Sequence, residues 1–288
     1  MTIDRKPLTL AVLGTGLIGA PVARNLSQHG FRVNAWNRTA AKAQALIPDG
    51  IQAFPNPADA VQGADIVLTL LKDGPSVLQA MQAAAPTLSK GTLWLQLSTV
   101  GIEDTATLAA FAAEHDLVFY DAPVQGSRQP AEQGQLIILA SGPAAARADV
   151  QPVFDAIGKR TLWVSEQVGA SSRLKLALNS WVFALTHGIA ESIAIAKGLG
   201  VDPALMVDVV KDGPLDSGYF RLKAAAILAD DYSTSFSIAN AVKDARLVVD
   251  AALQAGVRVD AAQAGLSRFE RALEAGHGDK DMAASYLA

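Results

Sequence analysis

The sequence predicts an α/β domain followed by an all-helical one, and three observations predict it. Short apolar runs alternate with amphipathic stretches through the first half, the pattern of βα units around a parallel sheet. Strand-like runs stop after about Val164. From Val168 to Lys197 comes one long apolar-rich stretch of about eight helical turns, and helical patterning continues beyond it. The expected organisation is residues 1–164 as a nucleotide-type domain and residues 165–288 as a helical one, joined by the long helix.

In chain order, the expected strands are Thr9-Leu13, Arg32-Trp36, Ile66-Leu70, Thr92-Leu97, Val118-Tyr120, Leu136-Ala140 and Thr161-Val164. Between them Leu17-His29, Ala40-Leu46, Ser76-Leu88, Glu103-Glu114 and Ala144-Ile157 read as helices. Turn signals such as Pro48-Asp49-Gly50, Asp73-Gly74-Pro75, Lys90-Gly91 and Ser141-Gly142-Pro143 separate the elements. The long helix ends at Gly198-Leu199-Gly200. Asp202-Pro203 then has the form of a helix N-cap with proline in the first turn. Further helices are expected near Ala204-Lys211, Tyr219-Leu228, Ile238-Ala255 and Ala261-Ala275.

Composition narrows the function classes. Of 288 residues half are hydrophobic and only 18% charged, so a sizeable core is expected and disorder is not. A net charge of −4 argues against a nucleic-acid partner, since phosphate-backbone binding needs a basic face. The absence of cysteine excludes disulfides, thiolate metal sites and a cysteine nucleophile. The four scattered histidines have no metal-ligand spacing, so no metal is expected. Residues 1–7 lack an apolar signal region, and polar residues interrupt every apolar run well before about 18 residues. A cytoplasmic protein that crosses no membrane is the expectation.

Gly14-Thr15-Gly16-Leu17-Ile18-Gly19 follows a strand and opens a helix, the context a dinucleotide fingerprint requires. The first glycine permits the tight turn, the second lets the backbone approach a pyrophosphate, and the third allows close packing. This makes the first domain Rossmann-type, with Gly14, Gly16, Leu17, Ile18 and Gly19 around the phosphates. At the end of the second strand, an acid binding the ribose diol marks NAD. Here Trp36 is followed by Asn37-Arg38-Thr39, with no carboxylate. Asparagine removes charge repulsion, and Arg38 with the Thr39 hydroxyl suits a 2′-phosphate, so NADP(H) is expected over NAD(H).

On the substrate side, Leu97-Ser98-Thr99-Val100 closes a strand at a carboxyl end, where open α/β sheets place ligands. Asp121-Ala-Pro-Val-Gln125-Gly126-Ser127-Arg128 also follows a strand. Backbone N–H groups of Gly126 and Ser127 suit a carboxylate, with Gln125 or Arg128 as an additional donor. Each segment reads equally as an ordinary strand-to-helix turn. Lys175 and Asn179 lie four apart on the long helix and so share a face. The first gives or takes a proton and the second holds an oxygen. With Leu174, Leu176, Ala177 and Leu178 around it, Lys175 reads as buried, a setting that disfavours the charged amine and suits proton transfer.

These motifs together resemble the β-hydroxyacid dehydrogenases over the whole chain. The glycine fingerprint, the Ser98-Thr99 turn, Asp121-Ala-Pro-Val-x-Gly126, Lys175-x-x-x-Asn179 and the late Phe236…Lys243-Asp244 segment carry the resemblance. Asn37-Arg38-Thr39, the Gly126–Gly134 loop and Ser217-x-x-Phe220-x-x-Lys223 are similar to the glyoxylate/succinic semialdehyde reductase branch. The resemblance implies Lys175 as general acid/base and Asn179 as the residue that orients the substrate. It also implies that Ser98, Gly126, Ser127, Phe236 and Asp244 lie on the substrate side, with Leu71, Lys72, Thr99 and Lys243 beside the cofactor. Gln125 departs from the serine usual at its position, which leaves the substrate open.

A small carboxylate-bearing aldehyde reduced with NADPH, in a homodimer or dimer-based oligomer, is the expected activity. Imine reductases share the architecture, but they usually carry aspartate or tyrosine where Lys175 stands. A 6-phosphogluconate dehydrogenase would need a larger helical domain and more cationic residues. A non-catalytic NADP-binding protein has no need of the Lys175–Asn179 pair.

Overall fold

A computed structural model describes residues 8–288; the N-terminal segment read above for a signal sequence, residues 1–7, lies outside the described residues. The chain divides into two compact units, Met1–Lys175 and Leu176–Ala288. Among the described residues no helix is long and apolar enough to cross a membrane.

The first unit runs β1 (Thr9–Leu13), α1 (Gly19–Gln28), β2 (Arg32–Trp36), α2 (Ala40–Gln44), β3 (Gln52–Ala53), α3 (Pro57–Val61), β4 (Ile66–Thr69), α4 (Gly74–Ala84), β5 (Leu93–Gln96) and α5 (Ile102–Glu114). It continues through β6 (Val118–Asp121), β7 (Val124–Gln125), α6 (Arg128–Glu132), β8 (Leu136–Ser141), α7 (Arg147–Ile157) and β9 (Gly158–Ser165). The sheet order is β3-β2-β1-β4-β5-β6-β8-β7, with β9 paired to β8.

The central strands β1 and β4 are covered on both faces, which is why they read as near-continuous apolar runs rather than alternating. In β1 the side-chain period of two sends Leu10 and Val12 into a core with Leu26 and Phe154, and Ala11 and Leu13 into another with Met81 and Trp94. Trp94 is fully buried, edge-on to Phe119 at 4.7 Å, and its indole N–H donates to Thr69 Oγ1 at 3.0 Å.

The parallel sheet expected from the βα pattern holds from β3 through β6, but β8 runs antiparallel to β6 and β7. The five-residue α6 is too short for a crossover that packs back on the sheet, so the chain reverses there. α7 provides a true crossover, and β8 and β9 are parallel again. The pieces the sequence reading omitted, β3, β7, α3 and α6, are two to five residues long and show no period.

α8 (Ala170–Gly198) is a 29-residue helix, about 44 Å long at the standard rise. Its first residues count with the first unit and the remainder with the second. The second unit adds α9 (Pro203–Val210), α10 (Gly218–Leu228), α11 (Ile238–Gln254) and α12 (Asp260–Ala272), then a short 3-10 segment, Met282–Leu287. Asp202 caps α9 by accepting from Ala204 N at 2.9 Å, with Pro203 in the first turn. Phe183, Ile193, Phe220, Ile238, Val242 and Phe269 centre this unit's own core.

Candidate active site

The glycine loop lies at the carboxyl end of β1. Gly14 has φ +108°, and a Cβ there would stand 2.3 Å from the Leu70 carbonyl oxygen, so no other residue fits. At Gly19 a Cβ would meet the Gly14 carbonyl oxygen at 1.9 Å; the third glycine is demanded first by the loop's own turn rather than by helix–strand packing. Gly16 has nothing within 4 Å of its Cβ position, and Gly16 and Leu17 are exposed. Ile18 takes the N-cap position of α1 and supplies no side-chain cap. The loop thus offers open space in front of a helix start, the arrangement that accepts a phosphate. Thr15 Oγ1 is buried there without a hydrogen-bond partner in the protein, a group that an added acceptor would satisfy. These residues fit a dinucleotide.

The end of β2 is tied to this loop. Asn37 Oδ1 accepts from Thr15 N at 3.1 Å, and its Nδ2 donates to Thr39 O at 3.1 Å. Arg38 and Thr39 are exposed beside it. At the neighbouring strand ends, Ser98 is buried and its hydroxyl is engaged with the protein. It accepts from Leu71 N at 2.8 Å and donates to Thr69 O at 3.3 Å, joining the ends of β4 and β5. Lys72 is exposed and Thr99 half-buried.

The first turn of α8 is anchored to two strand ends. Asp121, fully buried at the end of β6, accepts from Ser172 N at 2.9 Å and from Ser172 Oγ at 2.7 Å. Ser141, at the end of β8, accepts from Ser171 N at 3.0 Å and pairs with the Ser171 hydroxyl at 2.6 Å. Ser172 also meets Thr105 Oγ1 of α5 at 3.1 Å. Two of the helix's orphan N–H groups are thereby satisfied from the sheet. Burial pushes the Asp121 carboxyl above its ordinary range, against the opposing pull of the Ser172 and Gly169 hydrogen bonds.

One turn further along α8 stands Lys175, only 8% exposed. Its Nζ donates to Gln125 Oε1 of β7 at 2.8 Å. The burial is one-sided, because Arg173 and Ala177 are exposed. Gly126, next to Gln125, has φ +132°, and a Cβ there would meet Leu136 Cδ2 at 2.9 Å. Ser127 takes the N-cap position of α6, and Arg128, read above as a possible donor, pairs with Glu132 at 2.8 Å.

In the second unit, Asn179 is 5% exposed and its Nδ2 donates to Asp244 Oδ2 at 3.0 Å. The other oxygen of Asp244 pairs with Lys243 Nζ at 2.7 Å. The Asp244 carboxylate therefore turns the Asn179 carboxamide so that its N–H side faces α11. Phe236 is held through its backbone, with its N–H donating to Asp281 Oδ2 at 3.1 Å. Asp281 also accepts from Lys223 Nζ at 2.6 Å, Ser235 N and Oγ, and Ala283 N. Burial would raise this carboxyl, but Lys223 and the donors around it bring it below its ordinary range.

Sequence reasoning missed the anchoring contacts. Asp121 was visible only as part of a strand-end motif, and its partner Ser172 is 51 positions away with no spacing signal. Asp281 and Lys223 are likewise 58 apart.

Comparison with known proteins follows the same division. Residues 9–165 match the NAD binding domain of 6-phosphogluconate dehydrogenase. Residues 169–288 match the NAD-binding domain of NADP-dependent 3-hydroxyisobutyrate dehydrogenase. Glyoxylate/succinic semialdehyde reductase 2 (chloroplastic) of Arabidopsis thaliana is 29% identical over 96% of this chain and 78% of its own length. Reductase 1 of the same plant is 28% identical over 96% of both chains. The crystal structure of a 3-hydroxyisobutyrate dehydrogenase from Salmonella typhimurium superposes with a TM-score of 0.90 at 26% identity, covering 97% of this chain and 99% of that one. With a glycine loop suited to a dinucleotide and a matching helical unit later in the chain, the chain belongs to the β-hydroxyacid dehydrogenase family of NAD(P)-dependent oxidoreductases.

Proposed function

We propose that this protein reduces small carboxylate-bearing aldehydes to hydroxy acids with NADPH, and runs the reverse oxidation when product accumulates. The observation that carries the reading is the buried Lys175 amino group, held by Gln125 at 2.8 Å on a helix whose start is anchored to the carboxyl ends of β6 and β8. The 1–164 domain binds the cofactor and the 165–288 domain completes the substrate side.

Gly14, Gly16, Leu17, Ile18 and Gly19 cradle the phosphates. Arg38 and Thr39 take the 2′-phosphate, while Asn37 braces the loop. Leu71, Lys72, Thr99 and Lys243 contact the rest of the dinucleotide. When bound, NADPH supplies the hydride that reduces the carbonyl carbon. Lys175, as ammonium, stabilises the charge growing on the carbonyl oxygen and then gives it a proton. Solvent reprotonates the amine afterwards. Asn179, fixed by Asp244, orients the substrate, with Ser98, Gln125, Gly126, Ser127 and Phe236 around the acid group. The large apolar side chains left exposed on the second unit, among them Trp181 at 64%, Leu199 at 76% and Val209 at 84%, support a homodimer.

The test is NADPH and NADH consumption with glyoxylate, succinic semialdehyde, tartronate semialdehyde and methylglyoxal. Lys175→Ala is expected to lower turnover about 10²–10⁴-fold, the usual worth of a positioned acid/base, with NADPH affinity nearly intact. Turnover within a fewfold of the parent would sink the assignment of Lys175, and a clear NADH preference that of Arg38.

A further inference from the structure

We propose that Asp104 is a positioning residue for the dinucleotide: seated against Gly74, its side chain fixes the turn between β4 and α4, and through that turn the floor of the glycine loop. The inference rests on the cofactor half of the reading above and not on the aldehyde.

The first close approach is at the start of α4, where Gly74 is buried and has an ordinary helical backbone. A positive φ is therefore not what calls for glycine here. Pro75 disfavours a helical residue before it, a restriction that glycine eases. The neighbouring helix excludes a side chain outright. A Cβ on Gly74 would stand 2.2 Å from Asp104 Oδ2 and 2.3 Å from both Cγ and Cβ of the same residue. Swinging the carboxylate aside clears the first two atoms, but Asp104 Cβ is fixed to the backbone of α5. Asp104 is half-buried in the first turn of that helix. Its carboxylate thus lies beside the start of α4, the end of a helix that favours an anion.

The other end of the turn is held as closely. Leu70 N donates to Leu13 O at 2.9 Å, and the Leu70 carbonyl oxygen stands 2.3 Å from a Cβ position on Gly14. Leu71 N donates to Ser98 Oγ at 2.8 Å, and Leu71 Cδ2 is 2.9 Å from that same Gly14 position. Only Lys72 and Asp73 separate these fixed points from Gly74, and Asp73 caps α4 by accepting from Ser76 N at 2.9 Å. Non-bonded carbons settle about 3.5–4.0 Å apart, so a methyl on Gly74 drives the start of α4 from α5 by more than about 1 Å. Val77, Ala80, Met81 and Ala84 are buried along α4, so the body of the helix does not follow. The displacement falls on the turn, and passes to Leu71 and the loop that faces the phosphates.

The experiment measures NADPH binding by nicotinamide fluorescence, with melting of the unliganded protein in parallel. Gly74→Ala is made together with Pro75→Ala, which lifts the restriction from proline, and is compared with Pro75→Ala alone. It is expected to weaken NADPH at least about tenfold, since about 1 Å of misplacement is worth up to about 10²-fold in a positioned site. Asp104→Ala withdraws the carboxylate but keeps Cβ, and is expected to weaken NADPH at least about threefold, within the range for a helix-start side chain cut to alanine. Asp104→Asn keeps the shape and an oxygen acceptor, and is expected within about twofold of wild type. If the double variant does not fold, the two Asp104 variants decide. A smaller loss in either alanine variant, an equal loss in Asp104→Asn and Asp104→Ala, or a lowered melting temperature with an unchanged NADPH constant overturns the inference. If NADPH binding responds as expected while no aldehyde is reduced, the reductase reading fails and the role of Asp104 stands.

Discussion

Replacing His187 with leucine is expected to remove an acid-sensitive point from the helical unit. His187 lies on α8, 8% exposed, with its ring 4.3 Å from Phe269 and packed against Gly265, where a Cβ would meet its Nε2 at 2.9 Å. Neither ring nitrogen has a hydrogen-bond partner in the protein. A small cavity of about 30 Å³ borders it, lined largely by apolar side chains such as Phe183, Val248 and Leu266. Burial, then repulsion from Arg268 and Arg271, brings the imidazole down from 6.5 to about 4. The folded state therefore keeps the ring neutral while the unfolded chain takes up a proton below about pH 6.5. Stability falls as pH drops through this interval, and the loss is complete below about pH 4, once both states are protonated. A depression of about 2.5 pKa units corresponds to roughly 3 kcal/mol.

At pH 7, His187→Leu is expected to be neutral or stabilising, because it removes two unpaired buried polar atoms. The assay is urea unfolding of wild type and variant by circular dichroism at pH 7, 6, 5 and 4. Subtracting the variant cancels the carboxylates, Asp121 and Asp281 included. Wild type should lose roughly 3 kcal/mol more than the variant over that range. A difference that changes by less than about 0.5 kcal/mol would show that the ring titrates alike in both states.

Two further predictions concern the anchors. Asp121→Ala leaves Ser172 N and Oγ without their acceptor and is expected to cost roughly 2–3 kcal/mol in thermal or urea unfolding. Because the first turn of α8 then moves beneath Lys175, kcat should fall while NADP⁺ affinity holds; unchanged kcat would show that the anchor does not position the lysine. Lys223→Met strips the cation from a pair whose side chains are 3% and 4% exposed, at a cost of roughly 3–5 kcal/mol. Its Asp281 should titrate higher than in wild type, so the variant's deficit should shrink as pH falls and the unpaired carboxylate is neutralised; a deficit that stays constant with pH would refute this.

Much of the first unit is readable before folding. β1 ends where its apolar run ends, because a strand buried on both faces is apolar at nearly every position. The Gly14 turn is legible for a similar reason: φ +108° against the Leu70 carbonyl admits one residue type. The antiparallel β8 is not legible. Its direction depends on whether the preceding helix is long enough to cross the sheet, and α6 has no period to measure. Lys175 and Asn179 are visible as a pair because the helix repeat alone aligns them.

The sequence by itself determined that a dinucleotide loop precedes a helical unit and that a lysine and an asparagine share one face of the connecting helix. These are local properties, set by backbone sterics and by the periods of strand and helix. Only the tertiary structure decided what holds that lysine: Asp121 and Ser141 grip the helix start, and Gln125, 50 residues earlier, accepts a hydrogen bond from its nitrogen. It also decided that Asn179 leans on Asp244, 65 residues later. Hydrogen bonds between residues so far apart leave no spacing in the chain, because chain reversal in the sheet and helix packing, not sequence distance, bring their partners within 3 Å.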